Sequence, residues 1–175
     1  MTPANSLAIA LQRIVSGGQT GVDRGALDAA LDLHIPHGGW CPRGRRAEDG
    51  RIPSRYRLRE MPSSDYARRT EQNVLDSDAT LILYGGALTG PALTGGTALT
   101  HRLCLRHGRP HLVLDPTHDD ALATARAWLA EHHVHVLNVA GPRESSFPGI
   151  GQMTRQFIAR LLESEMEQPQ EPRAV

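Results

Sequence analysis

The sequence predicts a parallel α/β sheet with helices on both faces, built as a single domain. Three observations carry this reading. Short β-type runs alternate with helical patterns along the chain. Three of the runs end in glycine or in a turn that leads towards a helix. The length, 175 residues with 39% hydrophobic residues and 17 glycines, suits one ordinary core.

The elements follow in order. A first strand is expected over 13–16, closing on Gly17 and Gly18, and a helix over 22–33 carries Ala26, Leu27, Ala30 and Leu31 on one face. A short strand near 37–41 precedes a long Arg/Gly/Pro loop, and 56–61 reads as a small strand. A helix over 65–77 follows the Pro62-Ser63-Ser64 break. Residues 79–84 read as a continuous buried run and so as a strand. A glycine-rich loop reaches Gly95-Gly96, and a helix over 97–107 follows. Strand 111–114, helix 119–132, strand 134–139 and helix 148–165 complete the order. Residues 1–12 read as an N-terminal extension, 13–166 as the domain and 167–175 as a frayed tail.

Composition excludes several classes of function. All 19 basic residues are arginines, because the chain has no lysine. A Walker A P-loop, a pyridoxal Schiff base and a protein kinase each need a lysine, so all three are excluded. Net charge is zero and aromatics are 4%, which argues against nucleic acid as the partner. No apolar run approaches the ~20 residues of a bilayer span, and the N-terminus has no basic start before an apolar core. Cys41 and Cys104 fit neither a disulfide framework nor a zinc spacing. The expectation is a soluble, cytoplasmic domain.

Charge is concentrated in one place. Residues 43–69 hold nine arginines against Glu48, Asp49, Glu60 and Asp65. Guanidinium forks bind phosphate and other oxyanions bidentately, so this stretch points to an anionic ligand or partner. Two strand-to-helix turns point the same way. Ser16-Gly17-Gly18-Gln19-Thr20-Gly21-Val22-Asp23 offers glycines, hydroxyls and an amide at a helix N-terminus. It departs from G-x-G-x-x-G, since position 16 is Ser; the alternative is a tight turn capped by Thr20 or Asp23, and ligand contact is the favoured reading. Thr94-Gly95-Gly96-Thr97-Ala98-Leu99-Thr100 is the better phosphate cradle. After the last strand, Arg143, Ser145 and Ser146 offer a fork and two hydroxyls. Parallel strands point their carboxyl ends at one rim, so these turns should share a crevice, with Arg45 and Arg46 reaching it as a charged lid. His132, His133 and His135 fall at the opposite rim and are not read as a metal site, while His101 is placed where it could face the crevice.

These blocks, with Gly38-Gly39-Trp40-Cys41-Pro42, Gly44-Arg45-Arg46-Ala47-Glu48-Asp49-Gly50, Arg69-Thr70-Glu71, Asn73-Val74, Leu88-Thr89-Gly90 and Leu137-Asn138-Val139-Ala140-Gly141-Pro142-Arg143-Glu144-Ser145, resemble the molybdenum carrier proteins. That group is the molybdenum cofactor carriers of the SLOG superfamily, and the likeness runs over about 13–165. The resemblance implies a Rossmann-like sheet, a homo-oligomer (dimer or tetramer), and molybdenum cofactor or molybdate bound at the strand ends. The ligand-binding candidates are then Gly17, Gly18, Gln19, Thr20, Gly21, Arg45, Arg46, Gly95, Gly96, Thr97 and Arg143. By their chemistry alone these residues suit molybdate, a pterin phosphate or a nucleotide phosphate. The chain is therefore expected to bind and carry a small molecule rather than catalyse. The alternative is a nucleotide-processing enzyme similar to the Lonely Guy phosphoribohydrolases, or a sensor of a nucleotide-derived ligand. Those hydrolases carry an acid soon after P-G-G-x-G-T, whereas Gly96-Thr97 here continues Ala98-Leu99-Thr100-His101. Asp23 or Glu71 would have to stand in.

Overall fold

A computed structural model describes residues 11–85 and 93–163. The first ten residues, the segment 86–92 of the glycine-rich loop and the expected tail lie outside the described residues. Strand β1 (Arg13–Val15) feeds helix α1 (Val22–Asp32), which returns to β2 (His37–Gly38). The short strands β3 (Trp40–Cys41), β4 (Arg46–Ala47), β5 (Gly50–Arg51) and β6 (Arg59–Glu60) occupy the arginine-rich connection. Then come α2 (Tyr66–Leu75), β7 (Ala79–Leu83), α3 (Gly95–Arg106), β8 (His111–Leu114), α4 (Ala121–Glu131), β9 (Val136–Ala140) and α5 (Ile150–Glu163).

The main sheet has the order β2-β1-β9-β7-β8 and is parallel throughout. This is the Rossmann-like α/β arrangement. The chain winds outward to β2 through α1 and outward the other way to β8 through α3. Right-handed crossovers then place α1 and α3 on opposite faces. Helices α1, α4 and α5 share the main apolar core with Leu81, Leu83, Leu137 and Val139. On the other face, Val74 of α2 meets Leu103 and Cys104 of α3. Because both faces are covered, all five residues of β7 are buried, in keeping with a run apolar but for Thr80.

Small residues set the spacing of α1 and α5. A Cβ on Gly25 would stand 2.2 Å from the Gly151 carbonyl oxygen, so the two backbones touch. The outer side of α1 is used differently. Leu27 and partly buried Leu31 pack with Cys41, Ile52, Tyr56 and Leu58, and this small cluster fastens the arginine-rich connection to the domain.

Three features depart from the expected elements. The 37–41 run is two strands, because Gly39 turns the chain at φ 126. Only glycine fits there: a Cβ would lie 2.1 Å from the Ser16 carbonyl oxygen. The first half joins the main sheet, and the second pairs in parallel with β6. The long loop, moreover, contains the antiparallel hairpin β4–β5, with Arg46 opposite Arg51 and Ala47 opposite Gly50. Helix α3 also begins two residues before the expected 97, so Gly95 and Gly96 form its first turn.

Candidate functional site

A cavity of about 390 Å³ opens at the carboxyl ends of the central strands, in the usual size range for small-molecule sites. Residues 138–142, the end of β9 and the start of the turn after it, form its floor, α2 one wall, and the first turn of α3 another. The turns after β1 and before α3 meet here, together with the turn after β9.

The expected ligand residues divide between this cavity and other work. Gly17, Gln19, Gly95, Gly96, Thr97 and Arg143 line it. Thr94 makes no side-chain cap on α3. Among the described residues, the first amides of that helix have no acceptor, and a Cβ on Gly95 or Gly96 would meet nothing within 4 Å. Among the described residues, then, this end of α3 is an uncovered, positively polarised backbone surface. Gly18 lies away from the cavity, beneath Leu58 and Ile52 of the arginine-rich connection. Thr20 and Gly21 line a second, more open hollow instead. Gly21, at φ 79, presses on the Pro142 carbonyl, which accepts the amide of Val22.

Arg45 and Arg46 are not brought to the cavity, which corrects the picture of a charged lid. Arg45 is buried, and its guanidinium donates to the carbonyls of Ile52, Leu58, Pro53 and Tyr56 at 2.9–3.2 Å. Four carbonyls in one curve of backbone take up four of its five N–H donors, so it organises the loop. Arg46 is exposed on the hairpin. His101 is turned to His111, ring edge to face at 4.9 Å, and lines no wall of the cavity. Glu71 sits outside, 2.7 Å from the His107 ring.

The chemistry of the cavity is carried largely by residues that sequence reasoning did not place there as ligands. Asp23, in the first turn of α1, is buried in the wall. Its Oδ2 accepts the Gln19 amide at 3.2 Å and faces Arg69 Nη1 at 3.4 Å. Burial pushes the Asp23 carboxyl above the usual carboxylate range, against the opposing pull of Arg69 and the Gln19 amide. Arg69 comes from α2, 46 positions away, and lies flat on Gly17: a Cβ there would fall 1.6 Å from Nη1. Its Nε is buried without a partner. Tyr66, one turn earlier on α2, has the guanidinium carbons of Arg69 and Arg143 at 6.0 and 5.9 Å from its ring centroid. Asn138 of β9 is buried in the floor and donates to Thr80 Oγ1 at 3.2 Å. The signal that could have found Arg69 was its place in the 69–74 block, since nothing in its spacing pairs it with Asp23.

A network at the rim holds these turns together. Glu48, at the tip of the β4–β5 hairpin, accepts from the hydroxyls of Thr20 and Ser145. Its own amide donates to Gln19 Oε1 at 2.9 Å, and those hydroxyls hold its carboxyl below the usual range. Glu144 accepts the amides of Gly149 and Gly151 and so caps α5. Asn73 pairs with both backbone groups of Trp40, at 2.7 and 3.1 Å, and ties α2 to β3. Among the described residues no cluster of three His, Cys, Asp or Glu could hold a metal ion.

Comparison with known proteins gives a family. Residues 14–162 match the model of the circularly permutated YpsA SLOG family. The chain is 47% identical to a protein of known crystal structure, described as "Putative molybdenum carrier protein" from Syntrophus aciditrophicus. The alignment covers 87% of this chain and 95% of that one, with a TM-score of 0.81. No curated protein matches.

Proposed function

Since the chain belongs to the circularly permutated YpsA SLOG family, we propose that it is a carrier, taking a molybdenum-bearing anion into the cavity and giving it up unchanged. The cargo is molybdenum cofactor or molybdate. The observation that carries this reading is the convergence of Arg69, Arg143 and the open first turn of α3 on one cavity at the strand ends. Fixed amides and guanidinium groups bind oxyanions without a reaction step. The name of the solved relative supports molybdenum as the element concerned. A homo-oligomer, dimer or tetramer, belongs to the same reading and is checked by light scattering at micromolar concentration.

The experiment is native mass spectrometry of protein purified from its own cells, with metal analysis of the bound fraction. Molybdenum in that fraction, and its loss from Gly96→Val, support the reading. A Cβ at 96 meets no atom of the described residues within 4 Å, so in Gly96→Val the fold should stay intact while close approach of an anion to the α3 amides is blocked. A second reading draws on Asp23, the buried carboxyl in the cavity wall: hydrolysis of a nucleoside monophosphate, with Asp23 in place of the acid missing after Thr97. Saturable release of free base from nucleoside monophosphates would replace the carrier reading with this one.

A further inference from the structure

The geometry points to Arg69 and Arg143 as the receptor for a doubly charged tetrahedral oxyanion, free or at the end of a larger ligand, with Asp23 as the positioning residue that holds Arg69 ready. This rests on the reading of the cavity as an anion site and says which groups make it one.

Arg69 is under-used. Its Nε is buried in the structure with no acceptor, although buried donors are as a rule satisfied. Its one carboxylate partner stands at a long 3.4 Å. Arg45 provides the contrast, with its fork spent on four carbonyls. Arg69 is also fixed in place, since its guanidinium lies against the bare Cα of Gly17 and reaches over Tyr66. Arg143 approaches the same ring from the turn after β9; its charge also acts on Glu48, whose carboxylate is held mainly by the Ser145 and Thr20 hydroxyls. Two cations thus line one cavity beside the Tyr66 ring, one anchored and one exposed. A tetrahedral dianion supplies the acceptors that both lack.

Asp23 answers to the same site. The groups facing it are Arg69 from α2, the Ser16 hydroxyl at the end of β1 and the Gln19 amide. Arg24, on its own helix, is turned away to Asp49 and the Gly18 carbonyl. Arg143 stands further along the wall, and Glu48 is engaged with Thr20 and Ser145. When a dianion takes Arg69, the buried Asp23 loses its counter-charge and takes up a proton. Binding therefore tightens as pH falls.

The test is calorimetric titration with sulfate, which stays a dianion across the range used, followed by molybdate and a nucleoside monophosphate. Arg69→Gln and Arg143→Gln should each weaken sulfate binding about ten- to a hundredfold, while Arg51→Gln, on the exposed hairpin, should leave it unchanged. Asp23→Asn should flatten the pH dependence of binding. A nucleotide that binds more tightly than sulfate or molybdate marks the anion as the end of a larger ligand, and the reverse order marks a free ion. Arg143 is exposed, so its variant stays folded and keeps the test decisive. Wild-type affinity in both arginine variants overturns the assignment and leaves the anion reading standing. An unaltered pH slope in Asp23→Asn overturns the positioning role. Failure of the wild-type protein to bind any of these anions removes the anion reading itself.

Discussion

Replacing Arg45 by alanine should destabilise the protein while leaving anion binding to the folded fraction intact. The residue belongs to the arginine-rich stretch that suggests a ligand, yet its guanidinium reaches four backbone carbonyls and no cavity. Hydrogen bonds to charged groups contribute ~1.5–3 kcal/mol each. Water can re-solvate some of the carbonyls once the side chain is gone, so the gross sum overstates the loss. A net cost of about 3–5 kcal/mol is expected, the range for breaking a buried charged network. Arg45 sits at φ 54, a strain that alanine shares and that therefore cancels. For a domain of this size each kcal/mol moves the melting temperature by roughly 2–4 °C, so the midpoint should fall by about 6–20 °C. Thermal melts followed by circular dichroism measure it. Hydrogen exchange should show residues 45–58 losing protection first. Arg45→Lys should fall between the two, because an ammonium cannot span four carbonyls. A variant that melts like wild type but no longer binds anion would refute the reasoning and return Arg45 to the site.

Gly25→Ala should lower stability by about 2–3 kcal/mol despite alanine's better helix propensity, because the new Cβ meets backbone that cannot yield. A midpoint at or above wild type in urea would show that α1 and α5 separate easily. Glu48→Gln should flatten the acid limb of the stability curve. The Glu48 carboxyl is held below its ordinary 4.5 in the folded state, so its contribution is present above that value and fades as pH falls through the lower folded one. Comparing urea midpoints of both proteins near neutral pH and on the acid side of 4.5 checks this: the variant's deficit should be largest near neutrality and shrink as pH falls.

Elements with strong local signals were legible in the sequence. The run of β7, apolar but for Thr80, reads as a strand covered on both faces, and the spacing in α1 marks its inner side. The glycine turns at 17–21 and 95–97 marked the rim, because glycine before a helix leaves amides approachable. The hairpin β4–β5 was not legible: strands of two residues are too short to show a period. Nor was the break at Gly39, which depends on how closely Ser16 passes in three dimensions. Arginine was the hardest to place. Its charge is the same whether the fork meets carbonyls, as in Arg45, or turns to a cavity, as in Arg69. Only the backbone curving around the one, and the empty Cα of Gly17 beneath the other, distinguish them.

The place of β9 has a consequence for synthesis. It pairs with β1 on one side and β7 on the other, so two half-sheets, β2-β1 and β7-β8, stay apart until residues 136–140 leave the ribosome. Before that moment β1 and β7 each present an open edge, the kind of template that pairs with the wrong chain. The turns at 17–21 and 95–97 belong to different halves, so the cavity does not exist in the nascent chain either. A ligand present during translation would therefore meet no receptor until the last strand inserts. It would then stabilise only the closed sheet, pulling assembly forward by mass action.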